Sequence, residues 1–375
     1  MNTSIDFTNN VTSAEANEMI ESIVRTIMAD SSMSSKMPPV MLRGSPGIGK
    51  SAIVRAIAER LNIGFIDVRL AQQERVDFCG LPSVENNVTS WNVPNIWPND
   101  MKSKGIIFLD EITAAPPDVQ VAAYQLVLDR CISNSKYKLP DGWYIIAAGN
   151  NISDRAVVKT MSSALANRFM HLNMNVNAED WNIWAVTADI HPSVTGFIQF
   201  RPGLLFKMDD QNLEAGWPSP RAWEKVSNII KQFGDNIEMA RKMVYGLVGP
   251  AAGLEFMEFY KSSKSMADVV EMLSTPGSLV KIPEKTDEKC AFAAAVIYYL
   301  WKSKDEEGHA VRVDNLFRIL DKMTPDFVAL IVKSACAGNA SMPAAEAIKH
   351  ISMCKRYPEF AKSHMTAFSK RYTLD

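Results

Sequence analysis

Gly44-Ser45-Pro46-Gly47-Ile48-Gly49-Lys50-Ser51 decides how this chain is read. The stretch follows the pattern G-x-x-x-x-G-K-[ST] of a phosphate-binding loop. Its flanks agree. Val40-Met41-Leu42-Arg43 precedes it, a short run suited to a buried strand. Ser51 to Leu61 follows, with Ile53, Val54, Ile57, Ala58 and Leu61 on one helical face. Glycines let backbone N–H groups wrap a polyphosphate without a Cβ in the way, and a helix N-terminus adds a favourable dipole. The candidate nucleotide-binding residues are therefore Gly44, Ser45, Pro46, Gly47, Ile48, Gly49, Lys50, Ser51 and Ala52. Lys50 can reach the β- and γ-phosphates, and the Ser51 hydroxyl can ligate Mg²⁺.

A second motif says what is done with the nucleotide. Gly105-Ile106-Ile107-Phe108-Leu109 is an unbroken apolar run ending in Asp110-Glu111. Such a run suits a central parallel strand covered on both faces. Asp110 at its end can hold the Mg²⁺ shell, and Glu111 can polarise the water that attacks the γ-phosphate. Two adjacent acids with divided roles suit hydrolysis rather than transfer to an alcohol. Trp143 to Ala148 reads as another buried strand, ending near Asn150, whose amide can orient that water or touch the γ-phosphate. Arg168 closes a short helix that starts near Ser163 and precedes a strand at Met170–Met174. Ser219 and Pro220 read as the N-cap and first residue of a further helix. Arg221 then sits in a first turn, where a cation opposes the helix dipole and is better explained if an anion faces it. Singly, Asn150, Arg168 and Arg221 are as easily a turn residue and two surface charges. Their order behind a phosphate loop makes them a set.

That ordered set resembles the AAA+ ATPases, and within them the MoxR-like group. The phosphate loop, Leu109-Asp110-Glu111-Ile112, Ala147-Ala148-Gly149-Asn150-Asn151, Leu165-Ala166-Asn167-Arg168-Phe169 and Ser219-Pro220-Arg221 look like Walker A, Walker B, sensor 1, arginine finger and sensor 2. The stretch after Asp110 as far as Gln120, and Asn150 to Arg155 leading to Leu165, are similar to that group as well, and the likeness runs to about residue 302.

The resemblance implies an α/β P-loop NTPase core with a parallel five-stranded sheet in the order five-one-four-three-two, then an all-α lid and a helical C-terminal region. The strands expected are Pro39–Arg43, Phe65–Leu70, Gly105–Leu109, Trp143–Ala148 and Met170–Met174. The domain reading is an N-terminal helical segment over 1–36, the core over 37–178, the lid over 179–302 and an extension over 303–375. A hairpin near 81–93, turning at Asn86-Asn87, matches the insert that MoxR-like proteins carry in their second helix. That hairpin and the stretch Ile132–Leu139 are either pore-facing loops of a ring or plain surface excursions. On the implied sheet order Arg168 lies away from its own γ-phosphate, so it would serve the next subunit, with Arg155 as its rival. Arg221 would sense the γ-phosphate within one subunit or across an interface.

Composition fits a chain of two or three domains: 375 residues, 47% hydrophobic, formal net charge −2. No basic block offers a sequence-independent phosphate footprint, so nucleic acid is an unfavoured partner. Five scattered cysteines without C-x-x-C, and five histidines without a cluster, support no metal beyond nucleotide-bound Mg²⁺ and suit a reducing cytosol. Cys79 reads as a small buried residue. The N-terminus lacks a targeting pattern. Ala291–Trp301, the longest apolar segment, falls short of the ~20 residues a bilayer needs and reads as a buried helix. A cytoplasmic protein away from membranes is the expectation. The 20 methionines read mainly as core gap-fillers. Helix starts at Thr324-Pro325 and Ser341-Met342-Pro343 mark the C-terminal region as helical.

The expected function is an oligomeric Mg-ATP-dependent ATPase, a hexameric ring by resemblance, that remodels or activates a protein target with a separate partner bearing a von Willebrand factor A domain. Its cofactors are ATP and Mg²⁺. The alternatives are a nucleic-acid ring motor and a nucleotide-gated switch with little turnover, the latter disfavoured by the presence of Glu111 and Asn150.

Overall fold

Apolar runs and helical stripes alternate along the first half of the chain, and they condense into a covered parallel sheet. The computed structural model describes residues 9–132, 136–150, 161–208, 215–263, 268–303, 305–339 and 341–368. The chain forms two units, Met1–Asn177 and Ala178–Asp375. The first runs β1 (Asn10–Val11), α1 (Ser13–Ala29), β2 (Val40–Arg43), α2 (Lys50–Arg60), β3 (Gly64–Arg69), α3 (Arg75–Cys79), β4 (Leu81–Glu85), β5 (Val88–Asn92), β6 (Gly105–Asp110), α4 (Pro117–Asp129), β7 (Trp143–Gly149), α5 (Ser163–Ala166) and β8 (Met170–Met174).

The main sheet has the order β1-β8-β2-β7-β6-β3, and every pairing in it is parallel. The five strands expected from sequence keep their relative order within it. The strand count is corrected from five to six: β1 adds beside β8 by pairing Asn10 with Asn173 and Val11 with Met174. Two residues are too few to show an apolar period, so backbone pairing alone marks this strand. Behind it, α1 starts on a capping box between Thr12 and Glu15 and buries Ala16, Ile20, Val24 and Ile27. It packs on α2 and β8.

Residues 106 to 109 of β6 are all 0% exposed, which requires cover on both faces. Ile107 and Leu109 join Met41, Ile145 and Ala147 in a core closed by α3, α4 and α5. Because side chains alternate, Ile106 and Phe108 point to the other face, where α2 packs on β6. Each large side chain so buried contributes about 1.5–3 kcal/mol. Arg130, the αL C-cap of α4, donates to the carbonyls of Pro140 and Trp143 and so ties the end of α4 to the start of β7.

β4 and β5 form the antiparallel hairpin, with Asn86 and Asn87 at φ 52° and 60°. Two consecutive positive φ values are those of a type I′ turn, which asparagine tolerates. Leu81, Val84 and Val88 on this hairpin are exposed.

In the second unit follow α6 (Ala178–Thr187), α7 (Pro192–Phe200), α8 (Pro220–Phe233), α9 (Ile237–Val248), α10 (Pro250–Ser263), α11 (Asp268–Ser274), α12 (Thr286–Leu300), α13 (Glu306–Leu320), α14 (Pro325–Ala337), α15 (Ala344–Met353) and α16 (Tyr357–Phe368). Phe197, Trp223, Phe256, Phe259 and Tyr260 form an aromatic cluster between α7, α8 and α10. A second core runs from Val269 to Phe360 and includes both α12 and α13, so packing is continuous across residue 302. The apolar segment at 291–301 is the buried face of α12 and the residue after it. Gly196 of α7 lies so close to α12 that a Cβ there would stand 3.0 Å from Ala291 Cα. The methionines divide between two roles. Met41, Met161, Met174, Met257, Met272 and Met342 are buried, whereas Met19, Met101, Met239, Met243 and Met353 are exposed. Gap-filling therefore accounts for only part of them. No helix among the described residues is long and apolar enough to cross a membrane.

Candidate functional site

The phosphate loop joins β2 to α2 at the C-terminal edge of the sheet. A Cβ on Gly44 would stand 2.4 Å from Ile48 Cδ1 and 2.9 Å from the Met174 carbonyl oxygen, so only glycine fits there. Gly49, the N-cap of α2, has φ 101° and supplies no side-chain cap. The N-terminus of α2 thus points its dipole at the loop, where an anion is favoured.

Lys50 is 8% exposed. Its ammonium donates to the Gly44 carbonyl at 2.5 Å, the Ser45 carbonyl at 3.0 Å and Asn150 Oδ1 at 3.2 Å. These contacts satisfy a buried cation and hold it against the loop. The Ser51 hydroxyl donates to Asp110 Oδ2 at 2.8 Å, bringing together the two groups expected to hold Mg²⁺. Asp110 Oδ1 accepts from the Glu111 backbone N–H at 2.9 Å. Glu111 itself has φ 57°, a left-handed conformation that costs a non-glycine residue about 1–2 kcal/mol. Further bonds hold it there: the Ile112 N–H donates to the Ala148 carbonyl, and the Ala114 N–H to the Glu111 carbonyl. The Glu111 side chain is exposed. Backbone strain at a carboxylate beside a cation site is where function would hold it.

The structure thus brings Lys50, Ser51, Asp110 and Asn150 into one connected set, with Glu111 next in chain. Arg168 is elsewhere. It is exposed and precedes β8, whose first residue, Met170, pairs with Val40. Arg168 therefore lies at the N-terminal edge of the sheet, while the phosphate loop leaves β2 at the C-terminal edge, after Arg43. Arg221 belongs to the second unit, exposed in the first turn of α8. Ser219 caps that helix, accepting from the Ala222 N–H at 3.2 Å. Arg155, and residues 133–135 of the stretch Ile132–Leu139, lie outside the described residues.

Sequence reading overlooked one charged pair. Asp67 of β3 accepts from Arg55 of α2 at 3.0 Å, and Arg55 lies 4.7 Å over the Phe65 ring. Burial, and then the nearby charge of Asp110, hold the Asp67 carboxyl above the usual range, with Arg55 and Arg69 opposing. The signal was present: Asp67 interrupts the otherwise apolar run Phe65-Ile66-Asp67-Val68.

Residues 39–169 match the family described as the AAA domain of the dynein-related subfamily. The chain carries an AAA+ ATPase domain. Over 301 aligned residues it is 25% identical to midasin of Giardia intestinalis, a match covering 75% of this chain and 6% of midasin. The chain thus spans 6% of the length of that curated relative. A RuvB mutant from Thermotoga maritima superposes with a TM-score of 0.38 at 13% identity, over 71% of this chain and 82% of that one. NtrX from Brucella abortus gives a TM-score of 0.30 at 16% identity, over 64% and 67%.

The residues present in the AAA+ domain fit a magnesium nucleotide. The glycine loop and the N-terminus of α2 suit a polyphosphate, and Ser51 with Asp110 offers oxygen donors, the chemistry Mg²⁺ requires. One carboxylate oxygen nearby, Asp67 Oδ1, is buried and has no hydrogen-bond partner.

Proposed function

We propose that this AAA+ protein hydrolyses ATP in a MoxR-like ring and uses the cycle to remodel or activate a protein target. The single observation that supports the chemistry best is the Ser51–Asp110 bond, with Glu111 fixed beside it in a left-handed conformation. Bound Mg²⁺ would supply positive charge that neutralises the phosphates. Ser51 and Asp110 would hold it, and Lys50 would turn from the loop carbonyls toward the phosphates. Glu111 takes the proton-accepting role toward the attacking water, and Asn150, at the end of β7, orients that water. Arg168, exposed at the far edge of the sheet from its own phosphate loop, acts on a neighbouring subunit's site. Arg221 on α8 senses the γ-phosphate. A hexamer and a partner with a von Willebrand factor A domain follow from the MoxR-like resemblance. The exposed apolar residues of the hairpin, Leu81, Val84 and Val88, supply a surface for a protein substrate.

Two variants test the chemistry. Lys50→Ala should abolish binding of a fluorescent ATP analogue. Glu111→Gln should keep that binding while hydrolysis falls by ~10²–10⁴. Near-normal turnover by Glu111→Gln removes Glu111 from its role. Stimulation of the wild-type ATPase by single- or double-stranded DNA, but by no protein, would replace the remodelling reading with that of a nucleic-acid motor.

A further inference from the structure

β3 and β6 pair in register, Asp67 opposite Phe108 and Arg69 opposite Asp110. Residues two apart on a strand share a face. Asp67 and Asp110 therefore point to the same side of the sheet, one step apart diagonally across neighbouring strands. That side is the one α2 covers. Ser51 in the first turn of α2 donates to Asp110, and Arg55, one turn further along, donates to Asp67. Two α2 side chains at the i, i+4 spacing thus hold two carboxylates side by side.

The two carboxylates differ in how fully they are used. Asp110 accepts through both oxygens, from Ser51 and from the Glu111 N–H. Asp67 accepts from Arg55 through Oδ2 only, and its Oδ1 is buried without a hydrogen-bond partner. A buried carboxylate oxygen left unpaired is costly and calls for a water or ion. Arg55 has its own restraint, lying over the Phe65 ring, and so holds Asp67 rather than following it. Asp110 also contributes its negative charge to the environment of Asp67. Arg55 and Arg69 bring positive charge near Asp67, yet neither bonds its Oδ1.

We propose that Asp67 is a positioning residue of the magnesium site: its Oδ1 accepts a hydrogen bond from a water of the Mg²⁺ shell that Ser51 and Asp110 hold. This rests on the magnesium-nucleotide reading given above. Mg²⁺ keeps several waters when it binds with phosphates, and those waters need acceptors of fixed position. Asp67 offers one, on β3 beside β6 and held by Arg55. It touches no phosphate, so it affects the nucleotide only through the metal.

The test is binding of a fluorescent ADP analogue to the full chain, first in EDTA and then with Mg²⁺ titrated in. In Asp67→Asn the Mg²⁺ concentration for half of the affinity gain should rise about tenfold, with affinity in EDTA within about twofold of wild type. Asp67→Glu, which retains a carboxylate, should lie between the two and serves if the amide variant folds poorly. Arg55→Ala should move the half-point in the same direction by a smaller factor. An unchanged Mg²⁺ half-point in Asp67→Asn overturns the proposal. So does a variant that loses affinity equally in EDTA and in Mg²⁺, because that is a structural effect. A wild type whose binding ignores Mg²⁺ removes the magnesium site itself, an outcome distinct from a wild type that responds while Asp67→Asn responds equally.

Discussion

The two units differ in what some of their polar side chains reach. In the AAA+ domain, polar side chains reach one another across loop, helix and strands: Lys50 to Asn150, Ser51 to Asp110, Arg55 to Asp67. A ligand can exchange with the first two, because phosphate offers Lys50 and Mg²⁺ offers Ser51 and Asp110 an equivalent partner. In the helical unit, as at Arg130 in the first, several buried donors bond backbone carbonyls. Trp223 Nε1 donates to Leu204, Trp301 Nε1 to Ala335, and Asn315 Nδ2 to Leu273 and Thr275. Those contacts tie one segment to the next, and nothing that diffuses can replace them as well. The lesson is that burial of a polar group by itself marks no site; the identity of its partner does.

That contrast can be broken at four points, in descending order of effect. Arg168→Ala should lose ~10³-fold or more in turnover while keeping ATP affinity, as expected of a cation that acts on the transferring phosphoryl group. Mixed with Glu111→Gln, it should regain activity below wild type, because some interfaces then pair an intact Glu111 with an intact Arg168. If subunits exchange and the mixture stays inactive, Arg168 does not act in trans and Arg155 takes its place in the same test.

Next comes packing in the helical unit. Trp301 is 1% exposed between α12 and α14. Trp301→Ala should cost about 3–5 kcal/mol in urea unfolding, through the cavity and the lost bond to the Ala335 carbonyl. A loss under about 1 kcal/mol would mean that this core repacks freely.

Third is His191. Its side chain caps α7 by accepting from the Ser193 N–H, and it is held neutral, at about 4, first by burial and then by the charge of Lys231. The folded value lies below the unfolded one. The contribution is therefore whole above pH about 6.5 and is lost as pH falls toward about 4, by roughly 3 kcal/mol. His191→Asn keeps a cap acceptor and should flatten that slope; an unchanged slope assigns the acid sensitivity to other groups.

Smallest is Ser219→Ala, which removes the cap of α8 and should cost about 1 kcal/mol without altering nucleotide affinity in proportion. A selective loss of ATP over ADP affinity in this variant would instead link the start of α8 to Arg221 and the γ-phosphate.

Much of the AAA+ domain could be read from short stretches because its signals are local. A glycine at Gly49 answers to its own φ, and an unbroken run such as Ile106 to Leu109 answers to cover on both faces; each is legible within a few residues. The five expected strands, the cap at Ser219 and the turn at Asn86-Asn87 belong to this class. What had no local signal was settled by the pairing of distant segments. β1 exists because two residues find the free edge of β8, and no periodicity announces a pairing that short. The left-handed Glu111 is held where the Ile112 N–H bonds the Ala148 carbonyl of β7, not by any preference of glutamate. Asp67 stands beside Asp110 only because β3 and β6 align in one register, and a shift of one residue would turn its side chain to the opposite face. Sequence alone determined which residues can carry phosphate, metal and water chemistry, since that depends on side-chain type. Tertiary structure decided which of them meet, since that depends on strand register and helix docking between segments far apart in the chain.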